Sequence, residues 1–245
     1  MLKLSNHEIE TLGQLSNLEH VNRLDLSGNK LKSSLETLTG LTYLNLSSNE
    51  LSGKGIRGIL SLEQLVFLNL GNNRIGMLPD FAFAKMIHLK CLLLNGNKLE
   101  SFAFASLLTE LNTLVLSNNN IESIPEDAFK NLTSLRKLSL GHNKLREFPP
   151  VFQLPSLKEL NLNGNKISSI PDAISQLSHL TLLDIGSNLI ENVESLAILS
   201  SLPFLSKLNV AQNTFYGEGY QEQVWLWERS EKNLANAILM RSIPT

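Results

Sequence analysis

LRKLSLGHNKL, Leu135 to Leu145, carries leucine at its first, fourth, sixth and eleventh positions and asparagine at its ninth. The same spacing returns in VNRLDLSGNKL from Val21, LTYLNLSSNEL from Leu41, LVFLNLGNNRI from Leu65 and LKCLLLNGNKL from Leu89. It continues in LNTLVLSNNNI from Leu111, LKELNLNGNKI from Leu157, LTLLDIGSNLI from Leu180 and LSKLNVAQNTF from Leu205. Successive copies start 20 to 25 residues apart, and an incomplete copy opens the chain, with Leu2, Leu4 and Ile9 in register and His7 at the asparagine position. A spacing kept across the whole chain makes this a repeat array, to be read coil by coil.

Within each copy the central L-x-L alternates apolar with mixed residues, the period of a short strand with one buried face. The chain then has roughly a dozen residues in which to travel back, and those arms carry apolar anchors of their own, as in LPDFAFAKMIHL from Leu78, IPEDAFKNLTSL from Ile124 and IPDAISQLSHL from Ile170. One coil cannot enclose its leucines, each worth about 1.5 to 3 kcal/mol when buried, so neighbouring coils must cover one another. Pro79, Pro125, Pro149 and Pro171 stand early in the arms, where a fixed φ and a missing N–H suit an irregular turn.

The nine matches to L-x-x-L-x-L-x-x-N-x-L resemble the leucine-rich repeat family over almost the whole chain. The resemblance implies an α/β solenoid of about ten coils, curved like a horseshoe, with a parallel sheet on the concave face and irregular or short helical segments on the convex face. Residues 1–215 form that solenoid in this reading. Residues 216–245 break the pattern: YQEQVWLWERSEKNLANAILMR reads as an amphipathic helix with Val224, Trp227, Leu234 and Ile238 near one face. It resembles the C-terminal cap of intracellular members of the family, and terminal coils need such a cover.

The asparagine column comprises Asn29, Asn49, Asn73, Asn97, Asn119, Asn143, Asn165, Asn188 and Asn213. It falls where the chain leaves the strand and backbone groups lose their sheet partners, and an inward carboxamide can both donate and accept there. A buried ladder of asparagines is expected. His142 lies one position earlier, in a column otherwise filled by Gly28, Ser48, Asn72, Gly96, Asn118, Gly164, Ser187 and Gln212, and reads as a solvated turn residue.

Several chemistries are disfavoured. A formal net charge of -2 offers no general attraction to nucleic-acid backbones, and no apolar run is long enough to insert in a membrane as a helix. GKGIRG at residues 53 to 58 matches G-x-G-x-x-G but follows the asparagine turn instead of a strand, and the next strand, LVFLNL, ends on no acidic residue. His7, His20, His88, His142 and His179 are scattered through different coils without metal spacing, and no serine, histidine and acid would meet. No catalytic residue, cofactor, metal or small-molecule substrate is expected. Cys91 is the single cysteine, so the disulfide-bearing caps of secreted relatives cannot form within these residues, which points to a reducing, cytoplasmic compartment. Asn45-Leu-Ser47 and Asn131-Leu-Thr133 fit the glycosylation sequon, a triplet that Asn-, Leu- and Ser-rich repeats generate by chance.

What remains is surface. Positions two, three and five of each motif face out of the sheet. The third-position column runs Arg23, Tyr43, Phe67, Cys91, Thr113, Lys137, Glu159, Leu182 and Lys207. Val66, Leu93 and Val115 lie beside Tyr43, Phe67 and Cys91, so the third to sixth coils should present a contiguous apolar and aromatic patch, which soluble proteins seldom leave unused. Arg136, Lys137 and Lys158 follow along the solenoid, and Lys30, Arg74, Lys98, Lys144 and Lys166 form a rim after the asparagines. An aromatic centre with arginine and lysine beside it matches the composition of binding hot spots. The expected function is a signalling-type scaffold binding a protein partner through this face, with Tyr43 and Phe67 as anchors and the cations pairing with acidic groups. Two rival readings are the recognition segment of a larger signalling enzyme (a kinase, phosphatase complex or ubiquitin ligase) and an extracellular receptor or adhesion ectodomain, the latter suggested by the A-F-x-x-L arms around Phe83 and Phe129.

Overall fold

A computed structural model describes residues 1–11, 18, 20–33, 38–79, 82–102, 104, 108–215 and the backbone of 226–228. Each L-x-L segment forms a minimal strand. These are β1 (Leu2–Lys3), β2 (Arg23–Asp25), β3 (Tyr43–Asn45), β4 (Phe67–Asn69), β5 (Cys91–Leu93), β6 (Thr113–Val115), β7 (Lys137–Ser139), β8 (Glu159–Asn161), β9 (Leu182–Asp184) and β10 (Lys207–Asn209). They pair in chain order as one parallel ladder, each motif position beside the same position of the next coil, so that Tyr43, Phe67, Cys91 and Thr113 are consecutive partners. The incomplete first coil joins in register, Leu2 opposite Leu24.

The spaced leucines converge on one continuous core: Leu24, Leu44, Leu68, Leu92, Leu114, Leu138, Leu160 and Leu183 are wholly excluded from solvent. Short 3-10 turns at Arg57–Ser61, Val151–Gln153, Asp172–Gln176 and Val193–Ser201 bring the arms back across the other side of that core. Their own apolar residues, Ile59, Val151 and Ile174 among them, are buried against it. The architecture is the expected solenoid.

The asparagines that close each strand form the rungs. Asn97 donates through Nδ2 to the carbonyls of Leu94 in its own coil and Leu70 in the coil before, and its Oδ1 accepts the N–H of Ile75. The arrangement repeats from Asn29, which serves Leu4, Leu26 and Ile9, to Asn213, which serves Ile185, Val210 and Ile190. His7, at the asparagine position of the incomplete first copy, gives its backbone N–H to Asn29 Oδ1.

The preceding column has a conformational meaning. Gly28, Ser48, Asn72, Gly96, Asn118, His142, Gly164, Ser187 and Gln212 all take positive φ, between 52° and 69°. The left-handed region favours glycine and tolerates asparagine best among other residues, which explains the column's composition. His142 is an exposed turn residue held at φ 54°, its N–H bonded to the carbonyl of Asn163.

GKGIRG also finds its explanation in packing. A Cβ on Gly53 would fall inside contact distance of the Met77 carbonyl oxygen, and one on Gly55 inside that of Lys32. The glycines let the backbones of adjacent coils touch. Since a backbone carbonyl cannot rotate away like a flexible side chain, Gly55→Ala is expected to cost about 1 to 3 kcal/mol of stability, the range for overpacking. Urea denaturation followed by circular dichroism measures it, and an unchanged midpoint would refute the close approach.

The expected capping helix is corrected at three of its residues. Leu226–Glu228 form β11, which pairs antiparallel with β10, Leu208 opposite Trp227. The outer edge of β10 would otherwise present unpaired backbone groups, and Trp227 is of a residue type enriched in strands. The rest of 216–245, with Val224, Leu234 and Ile238, lies outside the described residues.

Candidate functional site

The solvent face of the sheet is built by the non-leucine positions of each strand, and the parallel register stacks them in files about 4.8 Å apart per coil. In the third-position file the rings of Tyr43 and Phe67 stack with centroids 4.4 Å apart and planes 7° from parallel. The guanidinium of Arg23 caps the other face of Tyr43, 4.7 Å from its centroid. The three side chains make one platform, each half covered by the next. Attraction of the cation to the ring face and ring stacking each add about 0.5 to 1.5 kcal/mol, and both hold the platform rigid before a partner arrives.

Cys91 continues the file on β5, half-buried, and burial pushes its thiol above the usual range. Less thiolate forms at neutral pH than on a free cysteine, so the side chain serves as a small apolar contact. Burial, and then the Asp25 carboxylate, also raise the Tyr43 phenol, with Arg23 pulling the other way. The phenol therefore stays protonated at neutral pH and can donate to a partner's carbonyl.

Val66 flanks the platform and is 37% exposed. Leu93 and Val115 are half-buried on β5 and β6, in the fifth motif position, where most coils do something else. There the side chains of Asp25, Asn45, Asn69, Asn161, Asp184 and Asn209 each accept the backbone N–H two residues on. Coils five and six forgo that bond for apolar side chains facing water. Leu93 and Val115 are opposite each other in the ladder, so the exception adds two adjacent apolar side chains to the face beside the aromatic pair, and such local exceptions are expected at functional surfaces.

Farther along, Arg136 and Lys158 are exposed, one coil apart in the second-position file, and Lys90 occupies the same file on the fifth coil. Lys137 differs from its expected role: its Nζ lies 2.7 Å from Glu159 Oε2, so its charge is already matched within the sheet. Of the rim cations, Lys30, Arg74 and Lys144 pair with Glu8, Glu50 and Glu122. Sequence reasoning placed the platform residues side by side but missed Arg23 and the Lys137–Glu159 pair. The shared register was the available signal, since Arg23 is opposite Tyr43 and Lys137 opposite Glu159.

A hollow of about 540 Å³ lies between return arms, lined by Ile124, Phe148, Pro149, Glu122, Glu147 and Arg146 among others. No cluster of three or more metal-ligating side chains occurs among the described residues. Among the same residues, no helix is long and apolar enough to cross a membrane.

Comparison with known proteins agrees with this geometry. A family model described as leucine rich repeat matches residues 109–167 and 149–190, and a second of the same description matches 37–60. Lumican of Mus musculus is 35% identical over 119 residues, 44% of this chain and 34% of lumican, so the match spans about a third of that relative. The functional domain of InlJ from Listeria monocytogenes superimposes with a TM-score of 0.73 at 25% identity, covering 88% of this chain and 45% of that one. The ectodomain of the plant membrane receptor kinase GASSHO1/SCHENGEN3 from Arabidopsis thaliana, solved in complex with CASPARIAN STRIP INTEGRITY FACTOR 2, gives 0.67 at 27% identity, covering 78% and 24%. These matches identify no catalytic domain. With one parallel ladder of ten strands, asparagine rungs between coils and family models matching residues 37–60 and 109–190, the chain folds as a leucine-rich repeat solenoid.

Proposed function

We propose that this chain is a protein-binding module that recognises its partner through the open face of the sheet, without chemical turnover. The observation that carries this reading is the Arg23–Tyr43–Phe67 platform, stacked and continuous with Val66, Cys91, Leu93 and Val115. A rigid aromatic cluster loses little conformational freedom on binding and has much apolar area left to cover. Arg136 and Lys158 supply charge at the same face, while Lys137 contributes less because Glu159 holds it.

Replacing both Tyr43 and Phe67 by alanine is expected to weaken partner binding by 2 kcal/mol or more, about thirtyfold, in the range of hot-spot pairs. The lost ring stacking and cation–ring contact should lower the thermal midpoint by several degrees without unfolding the chain, which far-ultraviolet circular dichroism checks. Capture of the partner from cell extract, quantified beside the wild-type chain, checks it; equal capture by both would refute the assignment.

The single cysteine supports placing this module in a reducing compartment. The likeness to a receptor-kinase ectodomain favours a second placement, outside the cell. Fractionation of the native cells decides between them: the protein in medium or at the cell surface would replace the first placement by the second.

A further inference from the structure

We infer that the segment bound on the sheet face is acidic, with an apolar or aromatic side chain seated on the Tyr43–Phe67 platform and carboxylates reaching Arg136 and Lys158. The inference rests on the protein-binding reading above and adds the chemistry of the partner. Its basis is the charge left over once every internal partner is counted.

On this face Glu159 is bound to Lys137 at 2.7 Å. The Oδ1 of Asp184 already accepts from Gly186, Asn163 and Asn209, and Oδ1 of Asp25 accepts from the Ser27 N–H and hydroxyl. Among the described residues the sheet face has no other ion pair, which leaves Arg23, set over the Tyr43 ring, and the exposed cations Lys90, Arg136, Lys158 and Lys207 without an acidic partner among them. Three of these charges, Lys90, Arg136 and Lys158, thus lie along one file, beginning next to the apolar patch. A neutral or basic occupant would bury or approach them without compensation, whereas carboxylates gain paired, charge-assisted hydrogen bonds.

The layout also orders the partner. Three strand intervals separate Phe67 on β4 from Arg136, which immediately precedes β7, and four separate it from Lys158, which immediately precedes β8, about 14 and 19 Å at 4.8 Å per strand. An extended chain advancing about 3.3 Å per residue crosses that distance in roughly four to six residues. The partner segment therefore carries its apolar anchor about four to six residues from the carboxylates that reach Arg136 and Lys158, with room for a further acidic residue near the anchor at Lys90. Nucleic acid also carries negative charge, but a formal net charge of -2 gives the chain no general attraction to a phosphate backbone.

Selection of a displayed library of random linear 16-residue peptides on the wild-type chain tests the inference. Enriched peptides should be net acidic and contain a large apolar or aromatic residue. Their affinity should fall about tenfold or more on Phe67→Ala and on the double reversal Arg136→Glu with Lys158→Glu, and stay within about twofold on the rim control Lys166→Glu. Far-ultraviolet circular dichroism of each variant confirms the fold. Neutral or basic peptides, no enrichment at all, or affinity indifferent to the charge reversal while Phe67→Ala still weakens it, would overturn the acidic partner and leave the protein-binding reading standing. Affinity indifferent to Phe67→Ala and to the reversal alike would overturn both.

Discussion

Phe129→Ala is expected to lower the stability of the solenoid by about 3 to 5 kcal/mol, the upper part of the large-to-small range. Phe129 is wholly buried and meets Phe102 edge to face at 5.1 Å. Phe102 in turn contacts Phe104 at 5.7 Å, and Phe104 contacts Phe83 at 5.8 Å. The four rings run through the return arms of three consecutive coils and fill the side of the core opposite the strands. Truncation removes the transfer energy of a ring, opens a cavity that neighbouring coils can close only by moving apart, and breaks the aromatic series. Because each coil is stabilised by contacts with its neighbours, a central lesion should also weaken the coupling between the two halves. Urea denaturation should show an earlier midpoint and a broader transition. Phe204→Ala is the control: that ring is 56% exposed, and its loss should change stability by less than about 0.5 kcal/mol. A loss below 1 kcal/mol at Phe129 would mean that the arms do not share a packed core.

Asn143→Ala should destabilise by about 3 kcal/mol, since removing one partner leaves buried backbone groups unpaired at about 1 to 3 kcal/mol each. The carboxamide serves the carbonyls of Leu116 and Leu140 and the N–H of Ile121, two of the three in the preceding coil. None of those groups can reach water without opening the coil. Asn143→Asp should do no better, because a carboxylate cannot donate to the two carbonyls. Asn213→Ala makes the comparison. That residue is only partly buried, water can replace its side chain, and the loss should be nearer 1 kcal/mol. Hydrogen exchange gives a local readout: the Ile121 amide should exchange faster in the Asn143 variant relative to amides two coils away. Unaltered protection there would show that the rung contributes nothing between coils.

The file that holds Tyr43, Phe67 and Cys91 was legible by alignment alone. Counting three residues into each repeat puts Tyr43, Phe67 and Cys91 in one file, and the strands pair in that register because a slip by one residue would turn every leucine outward. The positive-φ column was half legible: glycine and asparagine suggested a turn, but His142, Gln212 and the two serines concealed a shared left-handed backbone. The spacing of Gly53 and Gly55 fits a nucleotide-binding pattern in form only, and the approach of the flanking coils, at Met77 and Lys32, explains their missing side chains.

Leucine and asparagine spacing alone dictate a stacked parallel array, its buried face and its rungs. Those follow from periodicity and from the demand that apolar area and backbone polar groups be satisfied, both of which are written locally in every repeat. Three things depended on the folded chain: the stacking of Arg23 on Tyr43 on Phe67, the neutralisation of Lys137 by Glu159, and the strand at Leu226–Glu228 where a helix pattern stood. Long side chains choose among several staggered conformers according to the neighbours that the register delivers, and a segment with mixed propensity takes the structure that closes an open sheet edge. Such choices belong to the neighbourhood, so no single repeat encodes them.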